Sequence, residues 1–255
     1  MPVVDSLLGQ GRPPDPPTVG VWCIVVAAGS GRRFGGAKQF ELLDGERVVD
    51  RSVRIAAACC EGVVLVVPPE LVSSPAVRVD GATSVVAGGA TRAASVRSGL
   101  AVVPESARVV LVHDAARPAA SPELFHRVVD AVLGGADAVV PVVPVVDTIR
   151  RTDGTVVDRD DLRAVQTPQG FASAALRAAH ADGDDASDDA ALVQAAGGRL
   201  RLVDGEPRNL KLTGPDDLVV LRAFLRGDDG GSTDAFGDAR RSGGARVDGG
   251  GDSAT

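Results

Sequence analysis

Lysine is nearly absent from this chain of 255 residues. Among its 27 basic residues only Lys38 and Lys211 are lysines, and the others are arginines. Lysine carries a compact point charge on a flexible stem, whereas arginine carries a planar fork of donors. Because the chain uses arginine almost everywhere else, we predict that each lysine has a specific role.

Aromatic residues, cysteine and histidine are also scarce. Aromatics make up 3% of the chain and hydrophobic residues 44%, so the core must consist of valine, alanine and leucine. Such a core suits buried parallel strands covered by helices. The 3 cysteines lack a C-x-x-C spacing and the 3 histidines are scattered, which argues against a metal motif or a disulfide framework. We therefore predict buried cysteines in a reducing compartment.

Long apolar runs and an excess of positive charge are missing as well. No run reaches membrane-spanning length without a proline, glycine or charge, and the N-terminus has no signal-peptide pattern. The net charge of −7 disfavours nucleic acid and anionic membranes as partners. We therefore predict a cytoplasmic protein with no nucleic-acid or membrane partner, in which a local cluster of cations binds any anionic ligand.

The two ends of the chain differ in composition from its middle. Residues 1–18 contain 5 prolines, and residues 227–255 contain 9 glycines and few apolar side chains. A proline-rich start is typical of a flexible segment, and the glycine-rich tail cannot bury enough apolar surface to offset the entropy lost on ordering. We predict a flexible leader over 1–18, one folded domain over 19–226 and a disordered tail over 227–255.

Apolar runs of strand length alternate with helical patterns inside the predicted domain. The patterns predict strands over 21–27, 63–67, 85–87, 108–113, 138–143 and 200–203, and helices over 48–60, 92–102, 122–133, 173–179, 188–196 and from 215. Thr91 and Ser121 are predicted N-caps. Repeated βα units indicate a three-layer, Rossmann-like α/β fold with a mostly parallel sheet. Ligands of such sheets bind beyond the carboxyl ends of the strands.

One segment interrupts the alternation. Asp153-Gly154 lies between two extended runs, which is a hairpin signal. We predict a protruding arm over about 144–169. An arm that cannot bury both of its faces suggests a contact between two subunits, and a surface excursion is the alternative.

The glycine-rich stretch 25–39, which follows the first strand, indicates phosphate binding. It fails the dinucleotide template because Phe34 replaces the third glycine, and the P-loop template because Gln39 replaces Ser or Thr. Glycines still let backbone N–H groups approach phosphate oxygens, while Arg32, Arg33 and Lys38 supply positive charge. A glycine-rich turn with solvated cations is the alternative.

Several motifs in order resemble one enzyme family. They are Ala27-Ala28-Gly29-Ser30-Gly31-Arg32-Arg33-Phe34, Lys38-Gln39, Gly88-Gly89-Ala90-Thr91-Arg92-Ala93-Ala94-Ser95-Val96, Val112-His113-Asp114-Ala115-Ala116-Arg117-Pro118, Asp147-Thr148, Val157-Asp158-Arg159, Gln166-Thr167-Pro168-Gln169 and Asn209-Leu210-Lys211-Leu212-Thr213. Over about residues 21–226 the chain resembles the 2-C-methyl-D-erythritol 4-phosphate cytidylyltransferases of the non-mevalonate isoprenoid pathway.

The resemblance implies a nucleotidyltransferase fold and transfer of CMP from CTP to the sugar phosphate, with Mg²⁺ as cofactor. It implies that Arg33 and Lys38 stabilise the transition state, and that Arg159 and Lys211 position the sugar phosphate. Further implied contacts to the nucleotide are Ala27, Ala28, Gly29, Gly31, Gly88, Gly89, Ser95, Asp114, Ala115 and Arg117, with Asp114 beside the Mg²⁺. The resemblance also implies that Thr148 binds substrate. In the family the hairpin arm, which Thr148 and Arg159 flank, crosses into the partner subunit, which implies a homodimer.

Other interpretations stay open from the residues alone. Asp114 could cap a turn, Arg117 could form a surface ion pair, and Arg159 could belong to a solvated charge run. A ribitol 5-phosphate cytidylyltransferase is the alternative within the class, and a guanylyl- or uridylyltransferase a more distant one. A non-catalytic nucleotide-binding regulator is the alternative outside it.

Overall fold

The computed structural model describes residues 18–29, 31, 34–183, 185–186 and 188–229. Most of the predicted leader and tail lies outside these residues. The first strand begins at Thr18 and the last helix ends at Asp229.

Strands and helices alternate along the described chain, as predicted. The strands are β1 (Thr18–Val26), β2 (Leu42–Leu43), β3 (Glu46–Arg47), β4 (Cys60–Val67), β5 (Ser84–Ala87), β6 (Val109–Asp114), β7 (Ala138–Pro144), β8 (Ile149–Arg150), β9 (Val156–Val157), β10 (Arg163–Val165), β11 (Gln169–Ala172) and β12 (Leu200–Asp204). The α-helices are α1 (Val48–Cys59), α2 (Arg92–Leu100), α3 (Pro122–Leu133), α4 (Ser173–Ala179), α5 (Asp189–Ala195) and α6 (Asp217–Asp229).

The central sheet is mixed but mostly parallel. Its order is β10-β7-β11-β6-β1-β4-β5, and β12 pairs with the other side of β7. The pairs β1–β4, β1–β6, β4–β5 and β7–β12 are parallel, whereas β10 and β11 run antiparallel to their neighbours. The prediction of a mostly parallel sheet is confirmed, and the two antiparallel strands were not predicted.

Neighbouring residues on the central strands face opposite layers. Cys23 and Val25 of β1 belong to the core shared with α1 and α3, whereas Ile24 belongs to the core shared with α2, α4 and α5. This alternation follows from the two-residue period of a strand. The result is the predicted three-layer architecture, with valine and alanine filling both layers.

Two predicted N-caps fix helices next to the sheet. The Oγ1 of Thr91 accepts a hydrogen bond from the amide of Ala94, and the Oγ of Ser121 accepts one from the amide of Leu124. Each bond satisfies an amide that would otherwise lack a partner in the first turn. Both caps are therefore confirmed.

The predicted hairpin is present beside the main sheet. β8 and β9 pair antiparallel around a turn at Gly154, whose φ is +90°. Within the turn, the carboxylate of Asp153 accepts from the amide of Thr155 at 2.8 Å. The hairpin is solvent-exposed, with Val156 56% exposed. No helix in the described part of the chain has both the length and the apolarity that a membrane crossing requires.

A third apolar cluster lies at the carboxyl edge of the sheet. Leu221 and Leu225 of α6 pack with buried Leu212, Ala116 and Leu43. This cluster fixes the segment between β12 and α6 against the loop that follows β6. The carboxyl ends of β1, β4, β5 and β6 meet at the same edge, because these strands are parallel.

Candidate active site

A cavity of about 590 Å³ opens at the carboxyl ends of β1, β5 and β6. Its lining includes most of the predicted site residues: Ala27, Ala28, Gly29, Gly31, Lys38, Gly89, Ser95, Asp114, Ala115 and Lys211. These residues come from widely separated parts of the sequence. Parallel strand ends bring them to one edge, which is where ligands of such sheets bind.

The glycine-rich loop forms one wall of the cavity. Gly31 has a φ of +62°, and a Cβ at this position would lie 1.8 Å from the carbonyl oxygen of Gly36. Only glycine therefore fits the tight turn, in which the carbonyl of Gly31 accepts from the amides of Phe34 and Gly35 at 2.8 and 3.0 Å. The predicted cation Arg33 lies outside the described residues.

Lys38 begins a 3-10 turn that follows this loop. The neighbouring Gln39 is buried, and its Nε2 donates to the carbonyl of Ala27 at 2.9 Å, which ties the turn to the end of β1. The Nζ of Lys38 donates to the carbonyl oxygen of Leu212 at 2.5 Å. The ammonium group of Lys38 is thus directed towards the chain segment that carries Lys211.

The opposite wall follows β5. A Cβ on Gly88 would lie 2.4 Å from the Cβ of Ala28, so two strand-end loops pack closely here. The buried hydroxyl of Ser95 accepts from the amide of Gly89 at 3.1 Å and donates to the carbonyl of Thr91 at 2.9 Å. Gly88 supports this wall without lining the cavity, whereas Gly89 and Ser95 line it.

Asp114 ends β6 and is 9% exposed. Burial by itself would raise the pKa of its carboxyl group, but the positive charges of Lys211 and Arg92 outweigh this effect and lower the pKa to about 2. Its Oδ2 lies 2.6 Å from the Nζ of Lys211, and its Oδ1 lies 3.8 Å from the Nε of Arg92. The carboxylate is therefore ionised at neutral pH and faces a cavity that several cationic side chains line.

Arg92 is the lining residue of greatest consequence that the sequence analysis missed. Its Nη1 also binds the carboxylate of Asp189, which is fully buried and lies 3.1 Å from the Nε2 of His180. An arginine in the first turn of a helix opposes the helix dipole. That unfavourable position was the available sequence signal that Arg92 has acidic partners.

Besides Gly88, three predicted site residues among those that the structure describes do not line the cavity. The guanidinium of Arg117 donates to the main-chain carbonyls of Asn209 and Val165 at 2.7 and 3.1 Å. Thr148 and Arg159 are exposed at the base of the hairpin, where Arg159 donates to the carbonyl of Val146. Within this single chain, the two hairpin residues therefore lie outside the cavity lining.

The cavity favours charge stabilisation over covalent catalysis. Histidine and cysteine are absent from its described lining. His113, next to Asp114, is completely buried, and burial lowers its pKa to about 4, so its ring is neutral at physiological pH. A glycine-rich wall, two lysines, one arginine and an ionised aspartate together suit the binding of a polyphosphate and a transfer reaction at phosphorus.

Comparisons with known proteins identify the family of this chain. The profile of the 2-C-methyl-D-erythritol 4-phosphate cytidylyltransferase family matches residues 21–227. The enzyme of that name from Rhodococcus jostii is 46% identical over 215 residues, covering 80% of this chain and 95% of the relative. The relative of the same name from Rhodococcus opacus is 45% identical over 228 residues, covering 86% of this chain and 98% of the relative.

A solved structure shares both the sequence pattern and the fold. The crystal structure of 2-C-methyl-D-erythritol 4-phosphate cytidylyltransferase from Thermus thermophilus superposes with a TM-score of 0.68 at 39% identity. The match covers 80% of this chain and 98% of the solved one. The chain belongs to the 2-C-methyl-D-erythritol 4-phosphate cytidylyltransferase family.

Proposed function

We propose that this protein transfers CMP from CTP to the phosphate of 2-C-methyl-D-erythritol 4-phosphate. The products are 4-diphosphocytidyl-2-C-methyl-D-erythritol and pyrophosphate. The protein is thus a nucleotidyltransferase of isoprenoid precursor biosynthesis. Beside the family membership, the observation that carries the proposal is the convergence of Lys38, Lys211 and Arg92 on one cavity at the strand ends.

The reaction needs no protein nucleophile. An oxygen of the sugar phosphate forms a bond to the α-phosphorus of CTP, and the bond from that phosphorus to the bridging oxygen breaks. The electron pair leaves with pyrophosphate. Because the attacking phosphate is already ionised at neutral pH, no general base is required. Catalysis then consists of bringing two anions together and stabilising the charge at phosphorus.

We assign the nucleotide to the side of the cavity formed by the loops after β1 and β5. Gly29 and Gly31 line this side, and we expect their amides to donate to phosphate oxygens, with Lys38 supplying a charge beside them. Gly89 and Ser95 lie on the wall where we expect the base and ribose. The roles of Arg33 and Lys38 at the α-phosphate remain those implied by the family resemblance.

We assign the sugar phosphate to Lys211. In this structure its ammonium group is bound to Asp114, at 2.6 Å, and its side chain is 41% exposed. A phosphate of the second substrate offers a stronger anionic partner, so Lys211 can exchange one for the other. Asp114 would then face the cavity with Arg92 as its remaining cationic partner.

Asp114 is the residue that would hold Mg²⁺. Among the described residues no group of three or more His, Cys, Asp or Glu side chains is placed to hold a metal ion. Magnesium nevertheless commonly uses one or two carboxylates together with substrate phosphates. The ionised, cavity-lining Asp114 fits that arrangement. When bound, Mg²⁺ would neutralise phosphate charge.

The homodimer is also a proposal. Arg159 and Thr148 carry the resemblance to sugar-phosphate residues, yet they lie at the hairpin and outside the cavity lining. Exposed Val146 and Val156, at 78% and 56%, are apolar surface that a second subunit could cover. Mixing an Arg159→Ala subunit with a Lys38→Ala subunit tests this: recovered activity in the mixture supports a shared site, and none contradicts it.

We further propose a cytoplasmic location and a single domain of about 19–226. Three free, buried cysteines support a reducing compartment. Removal of residues 230–255 should leave turnover and melting temperature unchanged. A large loss of either would contradict the proposed domain limits.

Release of pyrophosphate tests the function directly. Purified protein with Mg²⁺ should release it from CTP and 2-C-methyl-D-erythritol 4-phosphate. The assay crosses four nucleoside triphosphates with this substrate and ribitol 5-phosphate. Turnover with ribitol 5-phosphate alone would overturn the choice of substrate, turnover with another nucleotide alone would overturn the choice of CTP, and CTP binding without turnover would support a regulator.

A further inference from the structure

Lys211 lies on a segment without regular secondary structure. Residues 205–216 connect β12 to α6, and none of them belongs to a helix or strand. Such a segment lacks a hydrogen-bond ladder that would set its position. Lysine itself has a long flexible stem, so the place of its main chain decides which group its ammonium can reach.

Two buried amide side chains hold this segment. Gln166 is 5% exposed, and its Nε2 donates to the carbonyl of Glu206 at 2.8 Å, while its Oε1 accepts from the amide of Glu206 at 3.0 Å. Asn209 is 0% exposed, and its Nδ2 donates to the carbonyl of Thr167 at 2.8 Å and to the Oε1 of Gln166 at 3.3 Å. These contacts begin five residues before Lys211 and end two residues before it.

The same contacts lead to Asp114, which binds Lys211. The Oγ1 of Thr167 accepts from the amide of Asp114 at 3.0 Å, so Thr167 holds Asp114 with its side chain and Asn209 with its carbonyl. Since the Nζ of Lys211 donates to Asp114 at 2.6 Å, the contacts form a closed ring. A shift of Asn209 would therefore change where Lys211 stands relative to Asp114.

The unpaired atom of Asn209 shows which part of its side chain matters. Its Oδ1 is buried without a hydrogen-bond partner, whereas its Nδ2 has two acceptors. A buried unpaired acceptor is unfavourable, so an amide here is explained by its donors. Its main-chain carbonyl accepts from the Nη1 of Arg117 at 2.7 Å and from the Nε2 of Gln166 at 3.4 Å.

We propose that Asn209 and Gln166 are positioning residues that place Lys211 for the sugar phosphate. Neither residue lines the cavity, so each acts through the main chain of the segment. The hydrogen bonds of the two amide side chains do not reach the loops after β1 and β5, to which we assign the nucleotide. We call the hydrogen bonds of these two amide side chains the clamp. Loss of the clamp should therefore raise the KM for the sugar phosphate and leave the KM for CTP nearly unchanged. The kinetic part of the proposal rests on the proposed function.

Steady-state kinetics of Asn209→Ala give the first test. We expect the KM for the sugar phosphate to rise about tenfold or more, because small misplacements of binding groups reduce rates strongly. The KM for CTP should stay within about twofold. Gln166→Glu keeps the acceptor of Gln166 and loses its donor, so it should give a smaller effect of the same kind and serves if Asn209→Ala fails to fold.

Val129→Ala is the matched control. Val129 is buried in α3, away from the cavity, so its truncation lowers stability without touching the clamp. We expect the KM values of this variant for CTP and for the sugar phosphate to change by the same factor, if they change at all. Equal rises of both KM values in Asn209→Ala would overturn the positioning role. So would a selective rise of the KM for the sugar phosphate in Val129→Ala.

The scarcity of lysine allows a second test that does not depend on turnover. Lysine labelled with ¹³C at Cε gives signals from only two side chains, Lys38 and Lys211, which single Lys→Arg variants assign. In Asn209→Ala the Lys211 signal should move towards the value of a free lysine, and in Val129→Ala it should not. An unchanged Lys211 signal in Asn209→Ala would overturn the proposal. Absence of turnover in the unaltered protein would instead overturn the proposed function.

Discussion

Asp114→Asn tests whether the strand-end carboxylate stabilises the fold through the cations around it. Its pKa lies at about 2, against an ordinary value of 3.8, even though burial alone would raise it. Each pKa unit corresponds to about 1.4 kcal/mol, so ionisation stabilises the folded protein by about 2 kcal/mol at pH 7. The variant loses this negative charge, so Lys211 and Arg92 no longer have the carboxylate of Asp114 as a partner.

The pH dependence has a definite sign. The pKa of Asp114 is lower in the folded than in the unfolded chain, so its stabilisation is complete above about pH 4 and disappears as the pH falls through 2. We expect the stability difference between the unaltered protein and Asp114→Asn to be about 2 kcal/mol at pH 7 and about 1 kcal/mol near pH 3.

Urea unfolding followed by circular dichroism from pH 7 to pH 3 measures this difference. Asp80→Asn is the control, because Asp80 is exposed, and it should match the unaltered protein throughout. Equal stability of Asp114→Asn and the unaltered protein at pH 7 would refute the electrostatic account. So would a difference that stays constant as the pH falls.

Three further substitutions test other parts of the site. Gly88→Ala should lower the free energy of unfolding by about 1–3 kcal/mol and raise the KM for CTP, because its Cβ would lie 2.4 Å from a neighbouring alanine. Gly214→Ala is the control, and with no atom within 4 Å of its Cβ it should change neither quantity. Asp189→Asn should cost about 3–5 kcal/mol in urea unfolding, since Arg92 and the buried His180 lose the carboxylate that they bind. Asp185→Asn at the surface should cost under about 0.5 kcal/mol. Lys38→Arg keeps the charge but should lower kcat about tenfold or more at unchanged melting temperature, and unaltered turnover would contradict a point-charge role.

Much of the fold was predictable because its signals are local. The predicted bounds of α3 and α4 match the structure, and α1 ends one residue earlier than predicted. An N-cap or a helical period involves residues only a few positions apart. The Asp44-Gly45 hairpin between β2 and β3 was missed although it carries the same signal as Asp153-Gly154.

The antiparallel strands were not predictable in the same way. β10 has 3 residues, all exposed, and β11 has 4 residues, nearly all buried. Neither length allows a two-residue alternation to be recognised. Their pairing with β6 and β7 depends on where the loops after β7 place them in the sheet, and only the packed structure decides that.

The sequence by itself determined the layered α/β fold, the glycine-rich loop and the two lysines as candidates for anion binding. Only the tertiary structure decided their partners. Lys211 binds Asp114, 97 positions away, and Lys38 binds the carbonyl of Leu212, 174 positions away. Local patterns set helices and strands through backbone hydrogen bonds and burial, whereas the pairing of charges depends on which strand ends the packed sheet places side by side. The tertiary structure also identified Arg92 in the cavity lining, and it placed Arg159 and Thr148 outside it.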